Sequence, residues 1–199
     1  MTSIVARAGG NKSMATTFKQ LTDFLVALGA DKVEHTESIY LAHAIGVHND
    51  LRAWGCDEEV CRGGLFHSIY GTELFQRFTL PLERRHEIRE LIGERAERLA
   101  YWNCAMDRTS FDNAVSNPGP PFRFRDRMSG EQVELVEDDF NDLVTIHLCD
   151  WLEQVSRSKW WDYRVDAYRN MAKYLGGVAL KNYQRVFHDS DNAKCEAKG

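Results

Sequence analysis

Long apolar runs are missing from this chain. No stretch approaches the roughly 20 residues needed to cross a bilayer, and residues 1–17 lack the compact apolar segment of a secretory signal. A soluble, cytoplasmic protein with no membrane partner is therefore expected. CxxC pairs are missing too. The cysteines, Cys56, Cys61, Cys104, Cys149 and Cys195, form an odd set, which argues against a disulfide framework and against a zinc ribbon; they read as reduced thiols. Positive charge is not in excess. With a formal net charge of −5 and acids and bases mixed along the chain, no broad basic surface exists to hold a phosphate backbone, so nucleic acid is a poor partner. Internal repeats are also absent.

What is present is material for one core. A chain of 199 residues with 43% hydrophobic and 11% aromatic content can bury a substantial interior, and its length favours a single domain. The expected division is a flexible N-terminus at 1–15, a helical domain at 16–187 and a disordered polar tail at 188–199.

Helical spacing dominates. Phe18, Leu21, Phe24, Leu25 and Leu28 outline a first helix over 16–28, which Gly29 stops. A second, from Glu37 to Trp54, places Ile39, His43, Val47 and Leu51 on one face, and Gly55 ends it. Asp57 can cap a third, in which Val60, Gly64, His67 and Gly71 share a face. A long pattern from Leu82 to Met106 predicts a fourth. The run SNPGPPFRFRDRMSGEQVELVEDD breaks the rhythm and predicts a loop, then a small β-hairpin with Phe122/Phe124 and Val133/Leu135/Val136 flanking Ser129-Gly130. Asp138 or Asp139 can cap a helix bearing Phe140, Leu143, Val144, His147 and Trp151 inward, with Asp150 one turn beyond His147. A last helix covers Trp160 to Leu175, is interrupted at Gly176-Gly177, and resumes to Phe187. Apolar positions after Trp160 outnumber the partners that a six-helix core offers them, which predicts a homodimer.

His43, His67, His147 and Asp150 are thus directed inward from three different helices. Imidazole nitrogen and carboxylate oxygen suit zinc or iron, and a catalytic site keeps one position open. Buried singly, these groups would cost several kcal/mol as unsatisfied polar atoms, a cost that one shared cation removes. A lone inward histidine is more often a hydrogen-bonded core residue, so the weight lies on the combination. His35 can face the same pocket from above. His48 borders the inner row, His86 sits among charged residues at the surface, and His188 belongs to the tail.

The segment YLAHAIGVHNDLRAWGCDEEVCRGGLFHSIYG, residues 40–71, resembles the first half of the HD superfamily core, in which one helix carries a metal-binding histidine and the next a His-Asp pair. The 24-residue interval from His43 to His67 is like that of the short-helix HD oxygenases, and IHLCDWLEQ, residues 146–154, looks like the closing helix, whose aspartate completes the site. By that likeness Asp150 is a ligand, with His147 able to replace or join it. The dyad aspartate is Ser68 here, and a serine hydroxyl is a poor ligand at neutral pH. That departure disfavours a dinuclear oxygenase and leaves a mononuclear site of His43, His67 and either His147 or Asp150, with zinc first and iron (Fe2+) as the alternative. LFHSIYGTE together with LIGERAERLAYWNCAMDR resembles a His-Ser branch of HD-like proteins over about residues 30–155.

An all-α, HD-like helical bundle with a small β-hairpin insertion is what the resemblance implies. The activity it implies is that of a cyclopenase of fungal quinolone alkaloid biosynthesis, a zinc-dependent conversion of cyclopenin to viridicatin by ring contraction with loss of methyl isocyanate. For that chemistry Glu73 is the expected base, and Ser68 and Tyr70 are expected donors to a substrate oxygen; Tyr101, Trp151 and His35 are expected to contact a flat aromatic substrate. Against these stand plainer roles: Glu73 favoured by a helix macrodipole, Ser68 orienting His67, and most of the aromatics serving as core. Two rival readings survive, an HD-type phosphohydrolase using Arg62, Arg108 or Lys159 for phosphate, and a non-catalytic small-molecule binding domain, for which Ser68 is the best argument.

Overall fold

The structure is a computed structural model that describes residues 16–35 and 38–196. The N-terminal stretch read as flexible, residues 1–15, lies outside the described residues, as do 36–37 and 197–199. Among those described are nine α-helices and two small antiparallel hairpins. None of these helices is long and apolar enough to cross a membrane.

Helix α1 (Phe18–Ala27) opens on a reciprocal cap: the Thr17 side chain accepts from the Gln20 amide while the Gln20 side chain accepts from the Thr17 amide. Leu21 and Leu25 are its buried stripe, and Gly29, at φ 88°, turns the chain out. Strands β1 (Glu34–His35) and β2 (Ser38–Ile39) then pair, His35 opposite Ser38. This hairpin was not foreseen, and it corrects the start of the second helix. Ser38 and Ile39 are extended, so α2 runs from Tyr40 to Ala53 rather than from Glu37.

Asp57 caps α3 (Glu58–Leu65) through the Val60 amide. The helix ends at Leu65, so His67 and Ser68 sit on the turn beyond it and not on its face as expected. The predicted single helix Leu82–Met106 is a short 3₁₀ turn followed by two helices, α4 (Arg85–Ile92) and α5 (Glu94–Ala105). Gly93, at φ 97°, separates them, a conformation that breaks the helical path. Helix α6 (Arg108–Ser116), capped by Asp107, lies in a stretch left unassigned by spacing alone.

The second hairpin is the expected one. Strand β3 (Phe122–Arg125) pairs with β4 (Gln132–Leu135), Phe122 opposite Leu135 and Phe124 opposite Val133. Helix α7 (Glu137–Val155) follows, then α8 (Val165–Leu175) and α9 (Gly177–Glu196), which continues past Phe187.

Two apolar clusters flank the inner helices. One gathers α1, α4, α5 and the turn after α3 around Phe66, Ile69 and Ile88; the other gathers α6, with Phe111, α8, α9 and the second hairpin around Phe140 and Leu143 of α7. Tyr168, Met171, Ala172, Ala179 and Tyr183 are buried in the second cluster. These apolar positions after Trp160 find partners within the chain, while Val178 stays exposed.

Close approach of α2 and α3 depends on Gly64. A Cβ there would lie 2.2 Å from Leu51 Cδ1 and 3.3 Å from Val47 Cγ1, both buried. Gly64→Ala is expected to overpack this contact and cost about 1–3 kcal/mol in urea unfolding. A variant as stable as the parent would show that the two helices can separate freely.

Candidate metal centre

His43, on the inner face of α2, is buried with 1% of its surface exposed. Its Nε2 lies 3.0 Å from Asp150 Oδ1 and 3.3 Å from His67 Nε2, and His67 Nε2 lies 3.4 Å from the same Asp150 oxygen. Three candidate ligand atoms from α2, the turn after α3 and α7 converge, all within 4.8 Å of one another.

The outer nitrogens fix what these atoms are. His67 Nδ1 is 2.8 Å from the Gly64 carbonyl, which can only accept, so Nδ1 carries a proton. His43 Nδ1 meets the Glu153 carboxylate, with the same consequence. In neutral rings both Nε2 atoms are then lone pairs, and they face each other and a carboxylate oxygen. Such a set calls for a positive charge at its centre, and its N/O composition with an open side fits a divalent cation.

Without such an ion, a proton is the substitute. Burial opposes charge on His43, but hydrogen bonds to Asp150 and Glu153 outweigh it and raise its pKa to about 9. Burial also opposes charge on His67, which has no equally close counter-ion and is lowered. Burial would raise Asp150, yet the charge of His67 and the hydrogen bond from His43 hold its carboxyl below the usual range.

His147, one of the two residues left open as third ligand, does not join them. Its Nδ1 is 3.1 Å from Asn103 Oδ1 and its Nε2 accepts from the Arg164 guanidinium at 3.0 Å. Burial and the charges of Arg164 and Arg108 hold it neutral, with its pKa well below the ordinary value. Asn103 also donates to the His67 carbonyl at 2.8 Å, so His147 supports the centre from behind rather than ligating. The Asp150 position is steadied by Gln154, which donates to Oδ1 at 2.8 Å.

The centre opens on a cavity of about 620 Å³. His67, Asp150, Ser68, His35 and Trp151 line it. His35 stacks on His43 with ring centroids 4.5 Å apart and planes 7° from parallel; burial and the neighbouring His43 charge lower its pKa to about 4. Among the described residues, His35 Nδ1, Ser68 Oγ and Trp151 Nε1 are buried without a hydrogen bond of acceptable geometry, as is the hydroxyl of Tyr40, the neighbour of Ser68. Trp151 stacks on Tyr168 at 4.8 Å, making one flat wall.

Three expected site residues lie elsewhere. Glu73 accepts from the Arg108 amide at 3.0 Å and so caps α6, the macrodipole role acting on a different helix from its own surroundings. The Tyr70 hydroxyl donates to buried Glu97 at 2.9 Å. Tyr101 donates to Asp126 at 2.7 Å and lies under the Arg85 guanidinium, 3.6 Å from its ring centre. None of these three lines the cavity.

Glu153 and Asn103 were missed. A signal existed for Glu153, three residues after Asp150 and so on the same edge of α7. For Asn103 no spacing points to His67 or His147.

A family model described as a domain of unknown function (DUF6817) matches residues 24–108. The match includes His43 and His67 and ends before Asp150. No curated protein and no solved structure matches the chain.

Elemental analysis of purified variants tests the ligand set. His67→Ala and Asp150→Asn are expected to lose bound metal while His147→Gln retains it; loss in His147→Gln would return that residue to the set. Metal uptake should also displace the His43 proton. Below pH about 9, apparent affinity is expected to rise with pH, by up to about tenfold per unit, with about one proton released in calorimetry at pH 7. A pH-independent affinity would contradict the proton's place at the centre.

Proposed function

We propose that this chain is a metal-dependent enzyme of HD-like fold, of the His-Ser branch, acting on a small aromatic molecule through one divalent cation, zinc first and iron second. The observation that carries the reading is the convergence of His43 Nε2, His67 Nε2 and Asp150 Oδ1, the last two from residues lining a cavity whose other lining residues His35, Ser68 and Trp151 hold unpartnered polar atoms. The specific reaction proposed is the cyclopenase conversion of cyclopenin to viridicatin with loss of methyl isocyanate.

A cation bound by these ligands would supply Lewis acidity toward a carbonyl or epoxide oxygen. The remaining work falls to side chains. Trp151 offers an aromatic face and a buried indole N–H with no acceptor, suited to a flat substrate carrying a carbonyl. Ser68 offers a hydroxyl on the cavity wall, in place of the dyad aspartate. His35, neutral at pH 7 with Nδ1 unpartnered, takes over the proton-transfer role first given to Glu73, which is committed to α6. Tyr70 and Tyr101 have no part in this reading, and neither nucleic acid nor a membrane is a partner.

A second reading, hydrolysis of a phosphate ester, is favoured by one observation: Arg77, Arg108, Arg157 and Lys159 line the same cavity, against the acidic Glu34 and Asp150. Such a wall suits an anion.

Incubation of metal-loaded protein with cyclopenin, followed by quinolone fluorescence, tests the first reading. Product is expected, with none from His67→Ala and a roughly 10²-fold lower kcat from Ser68→Ala if its hydroxyl stabilises developing charge. Loaded protein that leaves cyclopenin intact but releases phosphate from p-nitrophenyl phosphate would overturn the cyclopenase reading in favour of the second.

A further inference from the structure

We infer that Glu153 is the positioning residue that makes His43 a metal ligand through Nε2, and that Gly46 is the gap in α2 that lets Glu153 reach it. The inference rests on the metal reading of His43, His67 and Asp150 and deepens it.

An imidazole can ligate through either nitrogen, and the hydrogen bond made by the other decides which. At His67 that partner is a main-chain carbonyl supplied by Gly64, one turn earlier. His43 lies inside α2, where the local carbonyls are committed to the helix, so its partner must come from another element. Glu153 of α7 provides it, with Oε2 against His43 Nδ1.

The carboxylate is seated before any ion arrives. Arg157, one turn on, donates from one terminal nitrogen to Glu153 Oε1 and Oε2 at 2.8 and 2.7 Å, and from the other to the Glu153 carbonyl at 2.8 Å. The Glu153 side chain is 12% exposed and that of His43 0%, so the two meet largely shielded from solvent.

Gly46 stands one turn after His43 on the same helix. A Cβ there would lie 2.6 Å from Glu153 Oε1 and 2.9 Å from both Cδ and Cγ. The carboxylate therefore rests on bare backbone. A glycine inside a helix is normally unfavourable, and its φ here is not one that requires glycine; the space occupied by Glu153 is what accounts for it. His43 and Gly46 on α2, Glu153 near the end of α7 and Arg157 on the turn just beyond it thus form one device whose output is the direction of a single lone pair.

The test measures zinc affinity by competition with a chromogenic chelator, and the visible spectrum of the cobalt-loaded protein, for the full chain and its variants. Glu153→Gln is nearly isosteric and is expected to weaken zinc binding about 10- to 100-fold and to shift the cobalt bands; the metal-free chain should also melt lower, because the same carboxylate faces His43 and Arg157, so affinity and spectrum are the deciding readouts. Gly46→Ala should produce a loss of the same order by displacing the carboxylate. The double variant should bind no worse than the weaker single one, because both substitutions break the same link. A purely structural ion pair would lower the melting temperature alone and leave the cobalt spectrum and the zinc affinity unchanged. Wild-type affinity and spectrum in Glu153→Gln would overturn the inference, and this variant decides alone should Gly46→Ala fail to fold. Additive losses in the double variant would overturn the role of Gly46. A parent chain that takes up neither zinc nor cobalt would overturn the metal reading along with this one, whereas a metal-binding parent with an indifferent Glu153 would overturn this one only.

Discussion

Three hydrogen-bond acceptors pointed at one another inside a protein are an unstable arrangement unless something positive lies between them. That is the situation of His43 Nε2, His67 Nε2 and Asp150 Oδ1, because the Gly64 carbonyl and the Glu153 carboxylate accept from the two outer N–H groups and so keep the ring protons on Nδ1. The demand for a cation arises from those outer contacts as much as from the ligands. Move the proton of either neutral ring from its outer nitrogen to Nε2 and a donor replaces one of the three acceptors.

The scaffold is arranged to hold that demand in place. Helix α3 stops at Leu65, which frees the Gly64 carbonyl to orient His67 and exposes the turn to the cavity. The glycine at 64 also lets α3 approach α2, bringing His67 within reach of His43. On the far side, Asn103 of α5 joins the His67 carbonyl to the neutral ring of His147, so the turn is fixed at its backbone as well as at its side chain. Fully paired polar groups of this kind resist rearrangement, since opening any one contact strands another in a low-dielectric interior. The unpaired His35 Nδ1, Ser68 Oγ and Trp151 Nε1, by contrast, belong to residues that line the cavity, where a ligand would meet them.

Helical spacing made much of this legible. The inward aim of His43 and of Asp150 follows from apolar neighbours at three- and four-residue intervals, and both are where that periodicity puts them. Turn chemistry located the hairpin around Ser129-Gly130. The failures have local causes. Gly93 adopts a left-handed φ that splits a pattern whose apolar rhythm runs on across it, and the pairing of His35 with Ser38 takes two residues from the start of α2. His147 satisfied the same inward criterion as Asp150, yet was claimed by Asn103 and Arg164, partners 44 and 17 residues distant that no periodicity relates to it. Glu73 met the expectation for a polar residue near a helix start, but the helix is α6. Periodicity gives the direction of a side chain; it cannot give the identity of what lies opposite.

The most direct measurement is anomalous diffraction from crystals of protein purified without chelator, recorded on both sides of the zinc edge and of the iron edge. The account predicts one peak, bounded by His43 Nε2, His67 Nε2 and Asp150 Oδ1, with both Nδ1 atoms turned away from it. Absence of a peak at either edge after metal loading, with His43 bonded directly to Asp150 through a shared proton, would contradict it.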